Sequence, residues 1–356
     1  MLFAEILLLA LGIFLLIKGS DLFVDSGSEI GRVLKLSEVI LGITIVAFGT
    51  SLPELVVAIT SSQLGSNEIA LGNILGTNLF NLAVILATVA LIKPVKFKKE
   101  TIRRDMYMSV VAAFIFTVVA ADKIIAGDQI NIISRSDGII LLVLFGMYMY
   151  FTLLGHAEKR KREQEKGEEE LKLKLKDIDI LTKNVALMVL GIVMIFLGAN
   201  FSVGAVEEIA IILGISETFI AILFVAIGTS LPEIFTSIAA IKKGKTNIAI
   251  GNLIGSNMFN ILFVLGTAAT IRPIPLQSDT LVLDAFTFLG VTVMLMLHAI
   301  RDKEHQISKV EGISLLAIYV AYVIFVVARG WVIYKERMMQ DETRKKIFRT
   351  AVNLSF

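Results

Sequence analysis

The chain has 356 residues, 56% of them hydrophobic and 19% charged, with a net charge of +2 and no cysteine. Mean hydropathy is +0.80, and the apolar surplus comes in blocks of about 20 residues, the length that crosses a bilayer core. The composition describes a polytopic helical membrane protein with no nucleic-acid partner, and it excludes disulfides, thiolate metal sites and cysteine nucleophiles.

Ten membrane spans are expected, near 2–24, 38–62, 68–92, 105–121, 137–155, 181–205, 217–241, 247–270, 280–299 and 310–329. The first lacks a basic leader and a small-residue cleavage site, so it reads as a retained helix. Lys18 lies near its end and reads as a snorkelling side chain. Spans one to five form a first unit, 1–155. The mixed-charge stretch 156–180 reads as a solvated linker too short for a folded regulatory domain. A second five-span unit, 181–329, precedes a tail, 330–356. Asp284 opens span nine and reads as interfacial. Lys and Arg concentrate in the loops after odd-numbered spans, which places the N-terminus outside and the linker in the cytoplasm of a cell or inner membrane.

The halves repeat. Moving residues 37–94 forward by 179 positions lays them on 216–273 without a gap, with nearly half the positions identical. Because five spans is an odd number, the second copy must enter the membrane upside down. Inverted repeats are a transporter architecture with the binding site at the repeat interface.

Each copy carries GTSLPE inside an apolar span, at 49–54 and 228–233. Pro53 has no N–H, so the Gly49 carbonyl loses its helical donor and the preceding turn opens. Pro232 does the same for Gly228. Such a break must face protein or a hydrated cavity, since hydrocarbon offers no donors. Carbonyls near Ala47 and Ala226 then become candidate cation ligands. Thr50, Ser51 and Glu54 share one helical face, as do Thr229, Ser230 and Glu233. The following span adds a stripe at i, i+4, i+8: Asn73, Thr77 and Asn81, repeated as Asn252, Ser256 and Asn260. Asn78 and Asn257 lie off the stripe and read as braces or caps. Gly72/Gly76 and Gly251/Gly255 leave smooth tracks for close helix approach.

The set offers two carboxylates and many neutral oxygens, with no histidine or thiol. Such hard surroundings select Ca²⁺ or Na⁺ over softer metals. Two bare carboxylates at mid-membrane are costly. One Ca²⁺ neutralises them, and so do two Na⁺ or two H⁺, which makes exchange obligatory. The duplicated acids favour an antiporter over a cation channel, and proton coupling is the alternative to sodium coupling.

The paired GTSLPE and GN(I/L)(L/I)G(T/S)N(L/M)FN motifs resemble the two repeats of the calcium/cation antiporter superfamily, and most resemble its prokaryotic sodium/calcium exchangers. The resemblance covers the whole chain. It implies ten spans in two inverted five-helix repeats, an electrogenic exchange of Ca²⁺ for Na⁺, and no enzymatic activity or cofactor. It implies that the first spans of each half slide against the rest, and that the protein works as a monomer. By motif position it implies Ala47, Thr50, Ser51, Glu54, Thr77, Asn81, Ala226, Thr229, Ser230, Glu233, Ser256 and Asn260 as cation ligands, with Asn73 and Asn252 nearby. Some members carry Asp at the position of Asn260. The neutral residue here argues against potassium coupling.

Overall fold

The computed structural model describes residues 2–64, 67–121, 131–164, 175–212, 217–276, 279–301, 304–326 and 328. Residues 165–174 of the expected linker and the expected tail 330–356 lie outside them. In chain order the first half runs α1 (Leu2–Val33), α2 (Glu38–Leu41), α3 (Ala47–Thr50), α4 (Leu52–Leu64), α5 (Asn67–Phe80), α6 (Leu86–Ile92), β1 (Val95–Lys96), α7 (Lys99–Thr101), α8 (Tyr107–Val119), β2 (Asn131–Ile133) and α9 (Arg135–Gln164). The second half runs α10 (Leu175–Ile212), α11 (Glu217–Lys242), α12 (Thr246–Met258), α13 (Leu265–Ile271), β3 (Ile274–Leu276), α14 (Asp279–Arg301), β4 (Gln306–Ile307) and α15 (Lys309–Val326).

Among the described residues seven helices are long and apolar enough to cross a membrane, and the bent α2–α4 unit makes an eighth. The other two expected spans also coincide with helix, as the 26-residue α11 and as the 13-residue α8. Large apolar side chains such as Phe3, Leu7, Phe14, Val189 and Val193 stand exposed on α1 and α10. In water such a surface would be a liability; in a bilayer it is the normal outer face. The α5–α6 and α12–α13 units are almost wholly enclosed, so the oxygen-bearing stripes lie at the centre.

The two halves meet about a pseudo-twofold axis. A Cβ on Gly12 would touch the Ser202 N and Gly198 O, while one on Gly191 would touch the Phe23 N and Gly19 O. These contacts exchange under the 179-residue shift. Low numbers of α1 meet high numbers of α10, so the helices that open each half run antiparallel. The approach requires glycine, because each added methyl would come within about 3.0 Å of the other backbone.

The axis extends past the stretch where the sequence repeat is strong. β1 pairs with β4 (Val95 opposite Ile307), and β3 pairs with β2 (Ile274 opposite Ile133). Asp137 caps α9 by accepting from the Ser134 N at 2.8 Å, and Glu311 caps α15 by accepting from the Ser308 N at 2.9 Å. β1 and β3 still match at a shift of 179, whereas β2 and β4, and Asp137 and Glu311, match at 174, five residues less.

Three features lie beyond the sequence reading. The octet helix of the first copy breaks at Ser51, which has φ −89° and ψ 8°, with a bend of 45°. The second copy runs as one helix through Pro232. A proline removes a single N–H, and its ring is accommodated or not according to what packs beside the freed turn. Asp284, near the start of α14, is covered by protein, with 5% exposure. It occupies the repeat position of Asp105, which is enclosed by Arg104 at 2.7 Å and the Tyr148 hydroxyl at 3.3 Å. Finally, π-helical turns interrupt the stripe helices at Asn81–Ile85 and Phe259–Val264. Each begins at or beside a stripe asparagine. A π-turn inserts one residue per turn and shifts every later side chain around the axis, which no periodicity count anticipates.

Candidate cation site

The first octet reaches the centre because its helix starts firmly and breaks late. Lys35 takes φ 52° at the end of α1, with the Leu36 N–H bonding the Gly31 carbonyl at 2.7 Å. This closes α1 with a 6→1 bond. Ser37 then caps α2 by accepting from the Ile40 N at 3.3 Å. Gly42 lets α2 and the π-turn Gly42–Val46 lie directly on α12, where a Cβ would stand 2.6 Å from the Ile248 carbonyl. The octet of the first half is thereby pressed against the stripe of the second.

Glu54 and Glu233 are both fully enclosed, close enough for their charges to interact. The Thr77 and Thr229 hydroxyls flank Glu54, and Thr50, Ser51 and Ser256 flank Glu233. Ser51 reaches Glu233 Oε1 at 3.5 Å. Each acid is thus walled by hydroxyls from both halves.

The polar contacts obey the same axis. Thr50 Oγ1 donates to Asn252 Oδ1 at 3.1 Å, and Thr229 Oγ1 donates to Asn73 Oδ1 at 2.9 Å. Thr50 lies 3.3 Å from the Ser256 hydroxyl, as Thr229 does from that of Thr77. Asn73 and Asn252 therefore offer their amide oxygens to the threonine hydroxyl protons. Ser230 bonds Thr77 at 3.5 Å. Asn81 Nδ2 donates to Asn257 Oδ1, and Asn260 Nδ2 donates to Asn78 Oδ1, both at 3.1 Å.

The unpaired atoms are informative. Glu54 Oε1 and Oε2, Glu233 Oε2, Asn81 Oδ1 and Asn260 Oδ1 are buried without a hydrogen-bond partner. All five accept and none donates. Buried polar groups are almost always paired, and exceptions point to a bound partner or a functional role. A donor-poor set of oxygens around two acids suits a desolvated cation. Two amide nitrogens, Asn73 Nδ2 and Asn78 Nδ2, are also unpaired; their oxygens are the ends already engaged.

Of the fourteen candidate residues, those that contribute side-chain oxygens converge here. The Ala47 carbonyl is not fully freed: it accepts the Ser51 N–H at 3.0 Å, because the break falls one residue later than the proline alone suggests. The Thr50 hydroxyl also approaches this carbonyl, at 3.4 Å. Ala226 lies on α11, but its surroundings fall outside the described residues. Lys18 is exposed, away from the site. Phe23, Ile192, Ile195 and Phe196 of the α1–α10 pair line a narrow seam against Gly49, Thr50 and Pro232, on the Thr50 side of the site.

A family model described as "Sodium/calcium exchanger protein" matches residues 4–154 and again 183–328. The sodium/calcium exchanger MaX1 of Methanosarcina acetivorans is 31% identical over 347 residues, covering 91% of this chain and 99% of its own. The inner membrane protein YrbG of Escherichia coli is 34% identical over 269 residues, covering 75% of this chain and 79% of its own. Among solved structures, the sodium-calcium exchanger NCX_Mj soaked with 2.5 mM Na⁺ and 0.1 mM Ca²⁺ superposes with a TM-score of 0.76 at 27% identity, covering 91% of this chain and 99% of that one.

Proposed function

The chain belongs to the sodium/calcium exchanger family, and from that premise we propose that it is an electrogenic antiporter exchanging Ca²⁺ for Na⁺ at the paired glutamates. The observation that carries this reading is the donor-poor chamber: two enclosed acids ringed by hydroxyls and unpaired amide oxygens from both halves. One Ca²⁺ balances the two charges, and so do two Na⁺. A third Na⁺ per cycle would make transport respond to membrane potential. Glu54, Glu233, Thr50, Thr229, Thr77, Ser256, Ser51, Ser230, Asn81 and Asn260 supply oxygens, with the Ala47 and Ala226 carbonyls as further ligands. Asn73 and Asn252 orient the threonine hydroxyls.

Access alternates as the α1–α10 pair slides over the octets. Glycine contacts hold α1 and α10 close enough to move as a unit, and Phe23, Ile195 and Phe196 of that pair meet Gly49, Thr50 and Pro232 on the surface that would slide. The protein works as a monomer, with its N-terminus outside and residues 156–180 cytoplasmic. ⁴⁵Ca²⁺ uptake into sodium-loaded vesicles tests the coupling. Uptake should rise with an outward sodium gradient; indifference to that gradient, with uptake driven by a pH jump alone, would replace Na⁺ by H⁺ at the same glutamates.

A further inference from the structure

Accepting that Asn81 and Asn260 are cation ligands, we propose that Asn257 and Asn78 are positioning residues that decide which end of each ligand amide faces the ions. An asparagine amide has nearly the same shape either way round. Its oxygen attracts a cation and its NH₂ repels one, so a binding amide needs something to choose between them.

On one arm the choice is anchored to the backbone. Asn257 Nδ2 donates to the Asn78 carbonyl at 3.3 Å. A carbonyl only accepts, so the NH₂ end of Asn257 is committed and its oxygen points the other way. That oxygen accepts Asn81 Nδ2 at 3.1 Å, which leaves Asn81 Oδ1 as the unpaired end on the stripe that carries Thr77. On the other arm Asn78 Oδ1 accepts Asn260 Nδ2 at 3.1 Å, leaving Asn260 Oδ1 unpaired. All four side chains are at most 3% exposed, so no solvent competes for these bonds. The chain places each positioning residue three positions before a ligand, on the adjacent face of the helix. Each one serves the ligand of the opposite half.

The arms are separable because Asn78 uses its side chain for Asn260 and its backbone for Asn257. Asn78→Leu therefore releases Asn260 alone, and Asn257→Leu releases Asn81 alone. Half-saturating Ca²⁺ for sodium-driven uptake is measured for each, with the maximal rate as a separate readout. Either variant should raise half-saturation roughly 3- to 15-fold, the worth of one lost hydrogen bond, and leave the maximal rate within about twofold. In double variants, Asn257→Leu should add nothing to Asn81→Leu yet multiply with Asn260→Leu. Asn78→Leu should show the reverse pairing. A general structural brace would multiply with both, and that pattern overturns the proposal. Should a leucine variant fail to fold, threonine at the same position supplies the same cycle. If Asn81→Leu and Asn260→Leu leave half-saturation unchanged, the ligand reading itself falls; if they raise it and the crossed pairing is absent, only the positioning role falls.

Discussion

Glu54→Gln removes one charge while keeping the side chain's shape. Glu54 is fully enclosed, and neither carboxylate oxygen accepts a hydrogen bond. In the ion-free protein that group has lost its water and is left with only the neighbouring Thr77 and Thr229 hydroxyls, a penalty of several kcal/mol after relaxation. The glutamine does not carry it. With Ca²⁺ bound the sign reverses. Attraction between a carboxylate and a divalent ion roughly 4 Å apart, at an effective dielectric near 20, is about 8 kcal/mol. Desolvation removes several of these, leaving about 3–4 kcal/mol, a loss of about 10²- to 10³-fold in affinity. Thermal melting of the purified protein with and without Ca²⁺ reads both halves. Ca²⁺ at 100 times its dissociation constant should stabilise the parent by about 2.7 kcal/mol, and the same concentration should leave Glu54→Gln unshifted. Without ions the variant should melt no lower than the parent. A variant that melts far lower when ion-free and keeps its Ca²⁺ shift would refute the reasoning, since Glu54 would then be a structural acid.

Gly251→Ala should lower stability by about 1–3 kcal/mol, the usual cost of forcing a methyl into packed backbone, because its Cβ would lie 2.6 Å from the Val39 carbonyl. Gly72→Ala, at the same repeat position but facing open space, should change melting by no more than about 0.5 kcal/mol. The cysteine-free chain allows clean cross-linking. Asp25 and Lys243 form an ion pair at 2.5 Å between α1 and the end of α11, so Asp25→Cys with Lys243→Cys should be bridged by a bis-methanethiosulfonate linker that replaces the lysine's reach. That bridge should block ⁴⁵Ca²⁺ exchange until it is reduced, and undiminished exchange in the bridged protein would show that α1 need not move. A single cysteine replacing Lys98, an exposed residue after β1, should react with a membrane-impermeant maleimide only from the cytoplasmic side.

Much of the architecture was legible along the chain because its signals are local or repeated. Span length follows from the thickness of the bilayer, and the 179-residue echo with an odd number of spans dictates inversion. Acids and hydroxyls inside apolar blocks stand out against their neighbours, so Glu54, Glu233 and the threonines could be marked without coordinates. Other features depend on contacts between residues nearly 180 positions apart. The later repeat was obscured because its register shortens by five residues, from 179 to 174, and is seen only when β1–β4 and β3–β2 pair. The burial of Asp284 was not legible because its position along the helix says nothing about what covers it.

What the amino-acid order determined by itself is the set of buried oxygens and the inverted frame that brings two copies together, since hydrophobic length and spacing act within one helix. Tertiary structure alone decided which octet breaks, where π-turns follow the stripes, and which end of each asparagine is left unpaired. Those outcomes rest on hydrogen bonds and backbone contacts across the twofold axis, and an amide or a proline takes its final geometry from the groups packed against it.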